Sequence, residues 1–326
     1  MNHARTENKI SDEAAMKKII TIVTLGLALC AVFPGCSKKD GGGSTDPGAA
    51  IELNIKWAVG KKYIQHLEMN QSSKATIGSR PMEQTINMGS DYAIAVPKGL
   101  TGGGSELEME FLGQKMLVVM DGQTKASFDS ATDPANDGQN PVAPTLRKMI
   151  GLRIEYEADA KGRVQKVLGL DEVIERLGGN TPQGAMIKSR LSEGALIQYV
   201  DVGRGLPDHA VRIGDTWPVK TSIPSGPVTL QQDLTYTFTG WEEHAGHKCA
   251  RLDYAGTMGT TTDDETAKAT TARSGKMTGT VWFDPAAGMV IENSRTQTME
   301  VKTPAATNGT LIQTSDQKLT GVADIK

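Results

Sequence analysis

The feature that most constrains this chain is a two-residue alternation of apolar and polar side chains. Leu107, Met109 and Phe111 alternate with Glu106, Glu108 and Glu110, and Leu234, Tyr236 and Phe238 alternate with Thr235, Thr237 and Thr239. Successive side chains of a β-strand point to opposite faces, so each run buries one face and leaves the other in water. Asp121-Gly122, Lys161-Gly162 and Asn308-Gly309 lie between strand-like runs and read as hairpin turns, because Gly and Asn tolerate the positive φ such turns require. Helical periodicity is confined to the middle of the chain, at Leu170–Leu177 and at residues 182–200, the second with Thr181 as N-cap, Pro182 at its first position and Gly194 weakening it. Residues 133–144 and 257–275 read as polar loops too poor in apolar side chains to pack. The expected fold is mainly β (α+β): a curved antiparallel sheet or half-open barrel, with a helical segment near residues 170–200 covering part of it. Val59-Gly60-Lys61-Lys62-Tyr63 and Ile213-Gly214-Asp215-Thr216-Trp217 share the pattern aliphatic, Gly, two polar residues, aromatic, and each opens a strand region. This echo suits two similar halves, residues 51–168 and 205–326, joined by the helical segment, and one large domain over 51–326 is the other option.

The N-terminus carries an address. Met16-Lys17-Lys18 precedes an uncharged apolar run at residues 19–32, which is shorter than the roughly 20 residues of a membrane-spanning helix and of the length found in secretory signals. Translation is therefore expected to start at Met16. The run ends in Phe33-Pro34-Gly35-Cys36, followed by Ser37-Lys38-Lys39-Asp40 and Gly41-Gly42-Gly43-Ser44. This pattern resembles a bacterial lipoprotein signal, in which a cysteine after a small residue receives a diacylglycerol thioether, becomes the new N-terminus and is acylated again. Gly35 and Cys36 match it, whereas Phe33 and Pro34 depart from the usual Leu and Ala or Ser. The resemblance implies a signal peptide over residues 1–35, lipidation at Cys36 and a flexible linker over residues 36–50. Membrane attachment then runs through the N-terminal acyl chains, two or three of which hold a protein firmly at about 0.8 kcal/mol per buried methylene. With Ser37 rather than an acidic residue after the cysteine, the resemblance implies the outer membrane, facing the periplasm.

Further motifs lie along the rest of the chain: Phe128-Asp129-Ser130 with Asp133-Pro134, residues 159–162 followed by Val164 and Gly169-Leu170-Asp171-Glu172, VRIGDTW at 211–217, WEEHAGHKCARL at 241–252 and VWFDPAAGMVI at 281–291. Together they resemble a family of bacterial secreted lipoproteins with a β-rich domain of unknown function, across residues 51–322. The motifs are turns and packing residues, so the resemblance implies a shape and no reaction. Trp282-Phe283-Asp284-Pro285 with Gly288 is similar to a hairpin in the half-open barrels of lipoprotein carriers, which hold acyl chains against a curved sheet.

Charge and cysteine usage exclude other classes. With 35 basic against 38 acidic residues there is no broad cationic surface to neutralise phosphates, so nucleic acid is not an expected partner. Of the three cysteines, Cys30 and Cys36 fall in the targeting segment and only Cys249 remains, which excludes a disulfide-stapled scaffold. His244, His247 and Cys249, beside Glu242 and Glu243, are the nearest approach to a metal cluster. Ala245-Gly246 reads as a hairpin turn between the two histidines, however, and a lone cysteine behaves mostly as a small buried hydrophobe, so no metal is expected. Asp129, Asp133, Asn136 and Asp137 before Gly138 offer oxygen ligands, but without EF-hand spacing or a closing Glu they read as a solvated loop. No Gly-x-Ser-x-Gly elbow and no His-Glu-x-x-His motif is present, and Ser315-x-x-Lys318 falls in a strand-like run. Gly102-Gly103-Gly104 and Gly203-x-Gly205 lack the strand-to-helix setting of a phosphate loop. No catalytic residue and no cofactor is expected. Of the 14 methionines, Met109, Met116 and Met120 offer a soft apolar surface suited either to a lipid cavity or to core filling, and Trp57, Trp217, Trp241 and Trp282 sit beside turns or strands where they pack edges. The expected function is a non-catalytic module binding a lipid or other apolar ligand between the curved sheet and the helical segment. The alternative is a structural or protein-interaction module with a partner protein of the cell envelope.

Overall fold

The computed structural model describes residues 48–77, 80–138, 140, 142–178, 193–225, 228–262, 273–302 and 310–324. The expectations for Cys30, Cys36, Thr181, Pro182 and the Asn308-Gly309 turn lie outside the described residues. Twelve strands form one open antiparallel sheet. In chain order they are β1 (Lys62–Ile77), β2 (Arg80–Gly99), β3 (Ser105–Met120), β4 (Gln123–Asp129), β5 (Arg153–Ala158), β6 (Val164–Leu168), β7 (Thr216–Ser225), β8 (Val228–His244), β9 (His247–Thr261), β10 (Arg273–Asp284), β11 (Met289–Lys302) and β12 (Thr310–Asp324). The order across the sheet is β6-β5-β3-β2-β1-β12-β11-β10-β9-β8-β7, with β4 pairing β3 off this path. Two meanders running the same way are thus joined where β1 pairs β12. Among the described residues there are three α-helices, α1 (Ala143–Met149), α2 (Leu170–Leu177) and α3 (Glu193–Val200), and a short 3-10 helix at Pro134–Asp137, inside the stretch 133–144 expected as a loop. The mainly β, curved antiparallel architecture expected from the alternation is the one that forms.

The alternation sorts the sheet into two faces. Leu107, Met109 and Phe111 are 0–3% exposed, while the intervening Glu106, Glu108 and Glu110 reach Lys98, Arg153 and Lys62 in water. Across the sheet, one face carries Leu234, Tyr236, Phe238, Leu252 and Tyr254, all buried, and the other carries Thr235, Thr237, Arg251 and Asp253. Charged outward positions are the reverse of the apolar lipid-facing band of a transmembrane barrel.

The sheet curls until its edges meet a shared helix. α3 packs against both edge strands, β6 and β7, with Leu196 and Val200 buried. The connection at residues 201–215 completes the seam. From the β5–β6 hairpin, Arg163 donates to the carbonyls of Gly203 and Leu206, and Lys161 donates to that of Asp208. From β7, Trp217 donates Nε1–H to the Gly205 carbonyl at 2.8 Å. One end is closed by the segment before β1: Ile51 bridges Val211, Ile55 N–H meets the Lys161 carbonyl, and Lys56 N–H meets that of Gly288. Leu53, Ile55 and Trp57 are buried there.

Turn chemistry matches the sequence at Asp121-Gly122 (φ 49° and 75°), at Gly162 (φ 74°) and at Ala245-Gly246 (φ 50° and 82°). One reading is corrected. Residues 257–261 and 273–275, expected in a polar loop, are the ends of β9 and β10, paired Met258 to Gly275 and Gly259 to Ser274. Counting apolar residues misjudges a half-buried strand, which needs only alternate positions to pack. Here Met258 fills the inner face, and Gly275 sits where a Cβ would lie 2.3 Å from the Thr298 carbonyl.

Candidate functional site

Three neighbouring rows cross the inner face of the sheet. From β3 to β7, the first runs through Met116, Met88, Met69, Gln317, Arg295, Gly279, Tyr254, Tyr236 and Trp217. The second passes Val118, Ile86, Gln71, Ser315, Gln297 and Met277, and the third passes Met120, Gln84, Ser73, Gln313, Met299 and Gly275. Methionine and aliphatic side chains therefore flank a stripe of amides and hydroxyls centred on β1, β12 and β11.

That stripe is buried yet only partly satisfied. Within it Gln71, Ser73 and Gln84 are 2%, 3% and 4% exposed, and Gln65, two inward positions before Met69 on β1 and outside the three rows, is 0% exposed. Among the described residues, both polar atoms of the Gln65 amide, Nε2 of Gln71, Oγ of Ser73 and Nε2 of Gln84 find no hydrogen-bond partner. Each such group costs about 1–3 kcal/mol when desolvated without a partner, and native interiors hold few of them. Arg295 donates Nε–H to Gln317 Oε1 at 2.9 Å. Protein surrounds it, and desolvation pulls the pKa of its guanidinium down to about 10, although the residue retains accessible surface. A cation deep inside the molecule that still opens onto space marks a polar point on the concave face.

Toward β7 the same face is aromatic. Tyr254 stacks on Tyr236 at 4.7 Å between centroids, and Tyr236 on Trp217 at 5.9 Å. Gly279 makes room for this ladder, since a Cβ there would lie 2.4 Å from the Tyr254 ring. Burial raises the pKa of both tyrosines, so they stay neutral. Where the seam closes over the ladder, burial raises the Asp201 carboxyl pKa and lowers that of the Arg163 guanidinium.

His244 and His247 are paired across the β8–β9 turn, but each turns to a different carboxylate. His244 Nε2 meets Glu292 Oε2 at 3.1 Å, while His247 Nδ1 meets Asp284 Oδ2 at 3.0 Å. Cys249 lies behind them on β9, fully buried. Among the described residues, no group of His, Cys, Asp and Glu could hold a metal ion. Asp129 and Asp133 accept backbone N–H groups two residues on, and Asp137 holds Arg147 through both oxygens, which is turn chemistry. Ser315 points inward and Lys318 outward to Glu292, because residues three apart on a strand face opposite ways. Trp57, Trp241 and Trp282 pack edge-on or stacked against Tyr63, Phe238 and His244. A cleft of about 670 Å³ opens on the outer face near Lys74, Glu83, Val119 and Ile312, where Lys74 and Glu83 pair at 3.2 Å.

The polar stripe was not singled out from sequence. Its signal is there: Gln65, Gln71 and Ser73 occupy the phase of Tyr63, Leu67 and Met69, so uncharged polar residues stand where the alternation calls for apolar ones.

A profile described as Family of unknown function (DUF6263) matches residues 102–290. No curated protein matches the chain. Among solved structures, the chain is similar to DynF from the dynemicin biosynthesis pathway of Micromonospora chersina, at 7% identity over 92% of this chain and 91% of that one, with a TM-score of 0.19. It is also similar to OccK5 (OpdH) of Pseudomonas aeruginosa, at 8% identity over 82% and 99%, with a TM-score of 0.20. A DUF1329 family protein from Desulfovibrio piger aligns at 9% identity over 80% and 86%, with a TM-score of 0.15. Scores this low say nothing about function.

Proposed function

The chain belongs to the family of unknown function (DUF6263), and from that premise we propose that it is a non-catalytic binding module whose concave sheet face holds a lipid or other apolar ligand. The observation that carries this reading is the inner face itself: methionine and aliphatic rows flank buried polar side chains with polar atoms that find no partner among the described residues. A core selected only for packing would fill these positions with Val, Ile or Leu. Methionine, unbranched and polarisable, adapts to a guest of variable shape. The curled sheet, joined at its edges through α3, supplies the concave wall that ligand sites favour.

The N-terminal pattern gives this module its place. Cys36 is the lipidation site, and residues 36–50 tether the β-rich domain to the outer membrane on the periplasmic side. The charged outward face fits a domain that stands in water beside the membrane. Support comes from the apolar run at 19–32, the Gly35-Cys36 pair and the Gly-rich tether that follows.

The test is to purify the chain from its membrane and compare native with denatured mass spectra, together with an organic extract. A small molecule that leaves on denaturation, and a denatured chain carrying acyl mass on Cys36, are the expected results. A compact chain with nothing bound would overturn the binding reading and turn attention to envelope protein partners.

A further inference from the structure

The reading that the concave face takes an apolar ligand leaves open what the buried polar stripe contributes. The three rows described above contain one basic residue, Arg295, and no acidic one. Arg295 meets Gln317 across the β11–β12 pair, and Gln71 and Ser73 lie on the neighbouring strand in the two following rows. In these rows the polar atoms without partners among the described residues are Nε2 of Gln71, Nε2 of Gln84 and Oγ of Ser73, of which the two amide nitrogens can only donate. A guanidinium beside Gln317, with the Gln71 amide and the Ser73 hydroxyl on β1 in the next two rows, lines this part of the face with groups suited to an acceptor with negative charge. The flanking Met69, Met88 and Met116 suit a hydrocarbon chain.

We infer that the concave face binds an anionic amphiphile, with its acidic head group held by Arg295 and the amides of β1 and β12 and its hydrocarbon chain lying along the methionine rows toward β3. The proposal rests on the binding reading above and adds a head-group requirement to it. A carboxylate and a phosphate monoester or diester share the needed chemistry: accessible anionic oxygens that accept several hydrogen bonds at once.

Photolabelling of the full chain in a non-ionic detergent separates the two claims. The probes are a diazirine-bearing long-chain carboxylate and the alcohol of the same chain length, with labelled peptides mapped by mass spectrometry. The carboxylate is expected to label peptides of β1, β11 and β12 at concentrations about tenfold or more below the alcohol, as a charge-assisted hydrogen bond predicts. Arg295→Met is expected to abolish that difference and Arg295→Lys to retain most of it, with thermal melting confirming that each variant is folded. Competition by unlabelled oleate or by phosphatidylglycerol then tells a carboxylate head from a phosphate one. Equal labelling of these strands by acid and alcohol, or a preference that survives Arg295→Met, overturns the head-group inference and leaves the apolar-ligand reading standing. Labelling of neither kind on the concave face removes both.

Discussion

Ala245 holds φ at 50° in the tight turn between β8 and β9, a region where an L side chain crowds its own carbonyl. The turn needs positive φ because only that twist matches the right-handed twist of the two strands. Replacing Ala245 with Gly or Asn is expected to stabilise the protein by about 0.5–1 kcal/mol, seen as a higher urea midpoint at unchanged slope. His66 offers a second residue-level test. Burial works against its charged form, but hydrogen bonds to Asp91 at 2.6 Å and Glu68 at 3.2 Å outweigh that and leave its pKa above 6.5. A raised folded pKa contributes stability that is fully present below 6.5 and disappears as pH rises through the folded value. The pair is well exposed, so the effect is a few tenths of a kcal/mol. In urea titrations at pH 6 and pH 8, the native chain should lose that increment on going to the higher pH, and His66→Gln should not. The turn at Ala245 was legible in the sequence, flanked by strand-like runs. The His66–Asp91 pair was not, because it joins two strands 25 positions apart through a register no local pattern specifies.

At the level of elements, the β5–β6 hairpin ties one edge of the sheet to the connection that leads into the other. Its turn was legible as Lys161-Gly162. Its second task was not: Gly162 lies against Ile55, where a Cβ would sit 2.5 Å from the Ile55 carbonyl, and Arg163 next to it reaches the carbonyls of Gly203 and Leu206. Burial lowers the guanidinium pKa, while its two charge-assisted hydrogen bonds tie the hairpin to the 201–215 connection, so removing them loses both. Arg163→Met should therefore cost about 2 kcal/mol, read from chemical denaturation followed by Trp fluorescence. The echo between Val59-Gly60-Lys61 and Ile213-Gly214-Asp215 has a clear structural counterpart. Gly60 N–H donates to Val96 and Val96 N–H to Lys61, while Gly214 N–H donates to Phe238 and Phe238 N–H to Asp215. Lys61 N–H bonds Ala58 and Asp215 N–H bonds Arg212, so both meanders open on the same turn. The local Lys61–Ala58 and Asp215–Arg212 bonds follow from residues that repeat in the sequence, whereas the bonds to Val96 on β2 and Phe238 on β8 depend on strand pairing.

For the whole molecule, the decisive arrangement is a sheet that curls without closing, its edge strands β6 and β7 meeting on α3. Curling turns one face into a concave interior, and this gives the polar stripe its meaning: glutamine on a flat, wetted sheet would be ordinary, whereas enclosed glutamine must find a partner. The two binding experiments above belong at this scale, since they ask what the interior holds. By itself the sequence determined the β class, the alternating runs at 106–111 and 234–239, the Asp121-Gly122, Lys161-Gly162 and Ala245-Gly246 turns and the helix at Leu170–Leu177, because a period of two and a tight turn are set by neighbours along the chain, but not the helices at Pro134–Asp137 and Ala143–Met149. It left residues 257–261 and 273–275 as loop, since strand pairing there depends on a partner and not on local hydrophobicity. Only the tertiary structure decided which face became an interior, that Arg295, Gln71, Ser73 and Gln317 share it, and that His244 and His247 meet different carboxylates while Cys249 is buried. Those outcomes follow from strand order and register, which bring together residues as far apart as Met69 and Gln317, and long-range pairing is fixed by the fit of the whole sheet rather than by any segment of it.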